Sequence, residues 1–457
     1  MIHQKWGIFI AVVFIVSIVT CLSLGITLLY GFLVTLVITS VLLKANGIEL
    51  KKTLSYVLEG IGHAKSIYFV ILMIGVNVAL WIASGIVPSM IYFGFSIVNH
   101  VNFILFAFLA TGIFALFIGT GLGSLSTIGV AIFSLGISAG MPKALLSGAI
   151  LSGAYVADRL SPISALVNFT TETVGVSFKT YFAKTIKLML PALFLTAIIY
   201  LVMSMNIEST LTDTAISEYK EVLSNAFVIS GWFFVVPIVV LILSLMGFKS
   251  NLTLGFGLIS SILIAIFIQH VPMTELVRFM YSGFHTDSQV DLIRSLQIGG
   301  GRSMIEVIFI IMGGISMSTV FEKCGWIKPL VDAVTQNSKT KSALYLRTSL
   351  MSIGLDALTC DQTVGIIIPG RNLKEAFLEH NLDEGDLAAL IANSGTALAP
   401  LMPWNVNAII ILAIIGVPAV EFAPFMIFNF LTILWILFYT FLRENSEKIK
   451  VRAKIEP

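Results

Sequence analysis

The chain has 457 residues, of which 57% are hydrophobic and 11% charged, and its net charge is +2. A soluble domain carries about 25% charged residues, so an ordinary soluble fold is excluded, and the mean hydropathy of +0.98 points to a membrane. No basic tract with interleaved aromatics occurs, which excludes nucleic acid as a partner.

Apolar runs of span length recur along the chain. The first, residues 7–22, follows Lys5, lacks a small-x-small cleavage site and is succeeded by a second apolar run from Ile26. It is therefore expected to be a first span rather than a signal peptide. Long spans are expected at 7–22, 26–43, 67–87 and 188–204 in a first half, and at 229–246, 252–268, 303–320 and 422–442 in a second. Residues 49–63 read as an interfacial helix and 88–98 as a candidate short extra span. Asn77, inside the third span, reads as glue between helices. Cys21, Cys324 and Cys360 have no metal or redox spacing.

Between the third and last span of each half the apolar runs are short and broken by Gly, Pro, Ser, Thr, Asn and Asp. In the first half the breaks are Gly-Thr-Gly-Leu-Gly-Ser-Leu-Ser-Thr at 119–127 and Ala-Asp-Arg-Leu-Ser-Pro-Ile-Ser-Ala-Leu-Val-Asn at 157–168. In the second half they fall at 354–363 and 395–405. Gly119 and Gly354 are 235 residues apart, and Pro162 and Pro400 are 238 apart, as a duplicated unit with small insertions would give.

Charge suggests the threading, because cytoplasmic loops are rich in Lys and Arg. Lys44, Lys51, Lys52 and Lys65 follow the second span, and Arg443, Lys448, Lys450, Arg452 and Lys454 fill the tail. Glu208, Asp213, Glu218 and Glu221 mark the middle linker as extracytoplasmic. The expected architecture is an all-α polytopic membrane protein of two inverted repeats, 1–204 and 229–442, with a linker at 205–228 and a cytoplasmic tail at 443–457. Each repeat would hold long spans, a re-entrant hairpin and a broken helix, giving about 10 crossings and about 2 hairpins, with both termini cytoplasmic.

Interrupted helices survive in a bilayer only where protein or a water-filled cavity surrounds them. Corresponding interruptions in inverted repeats therefore point to a transporter's binding site. The ionisable residues in the breaks are Asp158, Arg159, Asp356 and Asp361. A charge at that depth costs about 2.5–3.5 kcal/mol on insertion scales, which favours a functional role over a structural ion pair. Thr359 flanks Asp361, while Ser161, Ser164 and Asn168 follow Asp158. Thr396, Asn405 and Asn407 occupy the matching stretch. Hydroxyl and amide oxygens suit Na⁺, with Asp361, Thr359, Asp158 and Asn168 its expected ligands, although such groups also satisfy the backbone of broken helices. Thr120, Ser124, Ser126 and Thr127 lie on a Gly-rich hairpin tip that either approaches a ligand or simply turns.

At these breaks the sequence resembles the NhaC-type sodium/proton antiporter family, which also contains Na⁺- and H⁺-linked carriers of organic acids and amino acids. The resemblance is carried by the runs at 119–131 and 152–164, by Asp361-Gln362 with Pro369-Gly-Arg371, and by Gly395 through Pro-Leu-Met-Pro-Trp-Asn405. It implies transport driven by Na⁺ and/or H⁺ gradients in the cell membrane, without a cofactor, and is compatible with a homodimer. Members resembling cation antiporters follow Ser-Pro-x-Ser with Asp and two Thr; here Ala165, Leu166 and Val167 stand there. That departure tilts the expectation toward a small organic solute, an amino acid or carboxylate, moved with Na⁺ or H⁺. A Na⁺/H⁺ antiporter for pH and sodium homeostasis is the alternative, with a channel more remote. No HExxH or GxSxG motif is present and the histidines fall at span ends or in loops, so no enzyme is expected.

Overall fold

The computed structural model describes residues 4–455 apart from 64, 96–101, 162–163, 208–212, 247, 249, 287–292, 294–295, 298, 327–328, 330–331, 333, 335–337, 339 and 361. Among the described residues all regular structure is helical. Helices α1 (Gln4–Leu24) and α2 (Leu28–Ala45) form an antiparallel pair, α2 capped by the Thr27 hydroxyl. The amphipathic α3 (Leu50–His63) follows where an interfacial helix is expected. Helix α4 (Lys65–Ala83) then bends by 63° into α5 (Ile86–Gly94). The single span expected at 67–87 is thus broken at Gly85, whose left-handed φ of 77° ends α4.

The first interrupted region comprises α6 (Phe103–Ile118), the short α7 (Gly121–Ser124), a π-helical turn at Leu125–Gly129 and α8 (Val130–Ser138). It continues with α9 (Lys143–Ala154), α10 (Ala157–Leu160) and α11 (Ala165–Val174), and closes with the long α12 (Phe178–Met203). Helices α6 and α9 pack backbone to backbone: a Cβ on Gly153 would lie 2.8 Å from the Gly112 nitrogen and collide with the Phe108 carbonyl. The middle linker contains a helix of its own, α13 (Asp213–Ala226), which the acidic composition did not announce.

Helices α14 (Val235–Leu245), α15 (Ser250–Phe267), α16 (Met273–Ser282) and α17 (Gly301–Lys323) open the second part. Asn77 on α4 donates to the Leu254 carbonyl on α15 at 3.2 Å, the role of interhelical glue expected of it. The second interrupted region is α18 (Lys341–Thr359), α19 (Gln362–Asn372), α20 (Lys374–Glu379), α21 (Glu384–Ala392), α22 (Gly395–Leu398) and α23 (Val406–Ile415). The brief α24 (Ala419–Phe422) and the long α25 (Ile427–Ile455) complete the chain.

Among the described residues four single helices are long and apolar enough to cross a membrane: Lys5–Leu24, Leu28–Ala45, Phe178–Met203 and Met304–Lys323. Four bent pairs pass the same test jointly, among them Glu384–Leu401 with Val406–Ile415 at 48°. Their outward faces carry exposed Phe9, Leu190, Phe194, Leu434 and Phe438, side chains that in water would be a liability and in lipid are solvated.

The order of elements recurs. The left-handed residues that end α6 and α18 are Gly119 (φ 83°) and Cys360 (φ 59°), 241 residues apart. The N-caps of α11 and α23, Ser164 and Asn405, are also 241 apart, and the C-terminal residues of α9 and α21, Ala154 and Ala392, are 238 apart. The second turn thus falls within the expected 354–363 stretch, but the counterpart of Gly119 is Cys360 and not Gly354. Helix α18 runs through Gly354 without interruption, and the turn falls at Cys360. A glycine inside a helix is tolerated when packing holds the helix, so glycine alone was a misleading marker of the tip.

Candidate functional site

The site is assembled where each interrupted helix touches the hairpin that precedes it. In the first region Asp158, on the single turn of α10, is buried, and its Oδ1 accepts the Gly121 N–H at 3.1 Å. Gly121 opens α7, so the carboxylate accepts the first N–H of a helical N-terminus. A Cβ at Gly121 would lie 2.9 Å from Asp158 Oδ2, so the close approach depends on glycine. Ser161 Oγ donates to the Leu116 carbonyl at 2.8 Å, three residues before the turn at Gly119.

The second region repeats this logic with exchanged parts. Trp404 Nε1 donates to the Ala357 carbonyl at 2.8 Å, three residues before the turn at Cys360, and the Val406 N–H reaches the Cys360 carbonyl at 3.0 Å. Here the carboxylate belongs to the hairpin: Asp356, fully buried on α18, lies against Gly365 of α19 and Gly395 of α22. A Cβ at Gly395 would come within 2.5 Å of Asp356 Oδ2, and one at Gly365 would collide with Oδ1. Thr396, 238 residues after Asp158, occupies the corresponding place in the break, and its hydroxyl has no hydrogen-bond partner among the described residues. Among the described residues each hairpin–break junction thus shows one buried carboxylate, Asp158 from the break of the first and Asp356 from the hairpin of the second.

Long helices seal both breaks. The carbonyl of Arg159 accepts the Tyr181 hydroxyl of α12 at 2.8 Å. The carbonyl of Ala397, 238 residues later, accepts Asn429 Nδ2 of α25 at 2.6 Å. The two breaks are also joined directly: Tyr155 Oη donates to Asn407 Oδ1 at 3.1 Å, and Asn407 Nδ2 donates to Asn405 Oδ1 at 2.9 Å. These bonds fix the amides of Asn405 and Asn429, leaving Asn405 Nδ2 and Asn429 Oδ1 buried without partners among the described residues.

The sequence-derived candidates divide accordingly. Asp158, Asp356, Thr396 and Asn405 line the junctions described above. Thr120 caps α7, accepting the Gly123 N–H at 3.1 Å, while Ser124 and Ser126 donate to the Thr120 and Gly123 carbonyls. Ser164 caps α11 through the Val167 N–H, and Thr359 donates to the Leu355 carbonyl. These hydroxyls serve the helices' own backbone. Asn168 is exposed on α11. Asp361 and the Thr127 side chain lie outside the described residues. Among the described residues no three His, Cys, Asp or Glu side chains come together, so any cation here would be held by hard oxygen donors.

Sequence reasoning passed over Tyr181, Ser352, Asn393, Asn429 and Thr432. Ser352 Oγ donates to the Gly365 carbonyl at 2.8 Å, tying the two arms of the second hairpin together beside Asp356. Asn429 and Thr432 carried a legible signal, since amides and hydroxyls inside an apolar span turn toward protein; Tyr181 lies on a helix whose polar start hid it.

Helices interrupted inside an apolar body, with buried carboxylates at the interruptions, are the construction of a secondary membrane transporter. Residues 153–442, more than half of the chain, match the Na⁺/H⁺ antiporter family, and the chain belongs to that family. It is 26% identical over 380 residues to the Na⁺/H⁺ antiporter NhaC of Alkalihalophilus pseudofirmus, covering 83% of this chain and 82% of that protein. It is 25% identical over 429 residues to the malate-2H⁺/Na⁺-lactate antiporter of Bacillus subtilis, covering 93% of this chain and 91% of that protein. The arginine/ornithine antiporter ArcD of Halobacterium salinarum is 26% identical over 365 residues, covering 78% of this chain and 74% of that protein.

Proposed function

We propose that the protein is a secondary antiporter of the cell membrane that exchanges a small organic solute, an amino acid or a carboxylate, using Na⁺ and/or H⁺ gradients. The observation that carries the ion coupling is the pair of buried carboxylates, Asp158 and Asp356, one at each hairpin–break junction. A buried carboxylate must either take a proton or hold a cation, which is the exchange an ion-coupled carrier performs. Thr396, Asn405 and Asn429 add oxygen and amide groups, and Asp361 with Thr359 is assigned to the same ion path. The recurrence at 238–241 residues supports two repeats, 1–204 and 229–442, and the basic tail against the acidic linker supports their inversion, with both termini cytoplasmic. Movement of the broken helices against the long spans would then expose the junctions to each side in turn.

The organic solute is favoured over plain Na⁺/H⁺ exchange by the start of α11. Its first turn holds Ala165, Leu166 and a fully buried Val167, and no carboxylate there can alternate between Na⁺ and H⁺. The malate/lactate and arginine/ornithine relatives add weight to this side, and the NhaC relatives to the other. Purified protein in liposomes with an imposed Na⁺ or pH gradient separates the two. We expect gradient-driven uptake of at least one member of a panel of carboxylates and amino acids. Na⁺/H⁺ exchange without any solute flux would establish the second reading, and no gradient-dependent flux of either kind would overturn both.

A further inference from the structure

Arg159 is fully buried, at 1% exposed, on the broken helix beside Asp158. Its Nε donates to the Tyr155 carbonyl at 3.2 Å, its Nη1 donates to Thr432 Oγ1 on α25 at 3.2 Å, and the guanidinium lies 4.4 Å from the centroid of the Phe428 ring. Its Nη2 has no hydrogen-bond partner, and among the described residues no carboxylate lies within 4.0 Å of it. Asp158, its neighbour in sequence, is engaged instead by the Gly121 N–H. This is an unusual state for a permanent cation. Asp158 and Arg159 act on each other through their charges, but among the described residues no ion-pair contact closes between them, and a buried guanidinium N–H left without an acceptor is costly. The Phe428 ring face offsets only part of that cost.

The arrangement also has a direction. Phe428 covers one face of the guanidinium, Tyr155 and Thr432 fix its Nε and Nη1, and the Nη1–Nη2 end keeps N–H groups to spare. Two parallel N–H groups in one plane match the two oxygens of a carboxylate. A second unpartnered donor, Asn405 Nδ2, lies along the same network: Tyr155 holds Arg159 with its carbonyl and Asn407 with its hydroxyl, and Asn407 holds Asn405.

We propose that Arg159 is the group that receives the carboxylate of the transported solute, with Thr432 and Tyr155 holding its guanidinium in position between the first broken helix and α25. The proposal rests on the organic-solute reading above and narrows it to solutes that bear a carboxylate. It also divides the labour within one turn of helix: Asp158 serves the cation and Arg159 the anion.

The test uses the full-length protein in detergent, followed by melting temperature and by equilibrium binding. Wild type is titrated with malate, lactate, arginine and ornithine, and with lactamide and agmatine, which keep the remainder of two of these molecules but lack the carboxylate. At least one carboxylate solute should raise the melting temperature, and its carboxylate-free counterpart should not. Arg159→Gln should bind that solute at least about tenfold more weakly, with Arg159→Lys intermediate, because an ammonium keeps the charge without the planar fork. Since Arg159→Gln removes a buried side chain, the comparison within the wild-type protein keeps the proposal testable even if the variant fails to fold. Lactamide or agmatine stabilising as well as their parents would overturn the assignment, as would undiminished carboxylate affinity in Arg159→Gln. A wild-type protein that exchanges Na⁺ for H⁺ in liposomes but binds no solute of the panel would instead remove the organic-solute reading itself.

Discussion

At the scale of single residues, the defining contact is the carboxylate of Asp158 on the Gly121 N–H. Two substitutions there separate charge from geometry. Asp158→Asn keeps an oxygen to accept the N–H and loses only the charge, so the protein should retain its melting temperature. Its ion-driven flux in liposomes should fall at least about tenfold, within the usual range of coupling energies. Asp158→Ala also leaves a buried N–H without an acceptor, at a cost of about 1–3 kcal/mol, and should melt at a lower temperature as well. Equal flux in wild type and Asp158→Asn would remove Asp158 from the coupling path. The placement of Asp158 and Asp356 beside the breaks was legible in the sequence, because a carboxylate in an apolar stretch announces itself. The hydroxyls were not: Thr120, Ser161 and Ser164 resemble ligands in composition, and only geometry reveals that they bond to backbone. Conversely, Asn429 and Thr432 looked like minor interruptions of a final span, and their value lies in which break they reach across to.

Between elements, the two regions are pinned together by a surface cluster. Lys184 on α12 contacts Asp383 Oδ2 at 2.6 Å and Asp386 Oδ1 at 3.0 Å, and these two acids form the capping box that starts α21. Burial pushes the Asp383 carboxyl up, but the Lys184 ammonium and backbone N–H groups outweigh it and hold the group below its ordinary value. A carboxyl depressed in the folded state stabilises the fold above its ordinary value of about 3.9. That stability fades as pH falls through the depressed value. Asp383 is half-exposed, so the pair is worth at most about 1 kcal/mol. Lys184→Met should therefore lower the melting temperature slightly at pH 7, with the difference from wild type fading as the pH falls through the depressed value of Asp383. A difference that persists in acid would mean that Lys184 acts through its packing rather than its charge. The helices themselves followed from hydropathy and punctuation, with Gly119 and the Ser161–Ser164 stretch marking their breaks correctly. What failed was the use of glycine as a universal marker. Gly354 sits inside α18, whereas Cys360, a residue with no turn preference, takes the left-handed conformation because the Val406 N–H holds its carbonyl.

For the molecule as a whole, that same cysteine has a practical consequence. Cys360 is buried at the turn where the second hairpin meets the second broken helix, and its thiol is 1% exposed. Burial keeps this free thiol inert while the turn is packed, and under the proposed movement of the broken helices it would become reactive only when that seam opens. In a Cys21→Ser, Cys324→Ser background, the rate at which a small membrane-impermeant thiol reagent modifies Cys360 becomes a clock for unfastening. Modification in sealed, oriented vesicles should be slow at rest and should accelerate at least about fivefold when solute and counter-ion are supplied together, since each shifts the population of opened states. A rate indifferent to both would place the moving seam elsewhere. Counting from which side of the vesicle the reagent succeeds would also record, without any tracer, the face toward which the protein opens first.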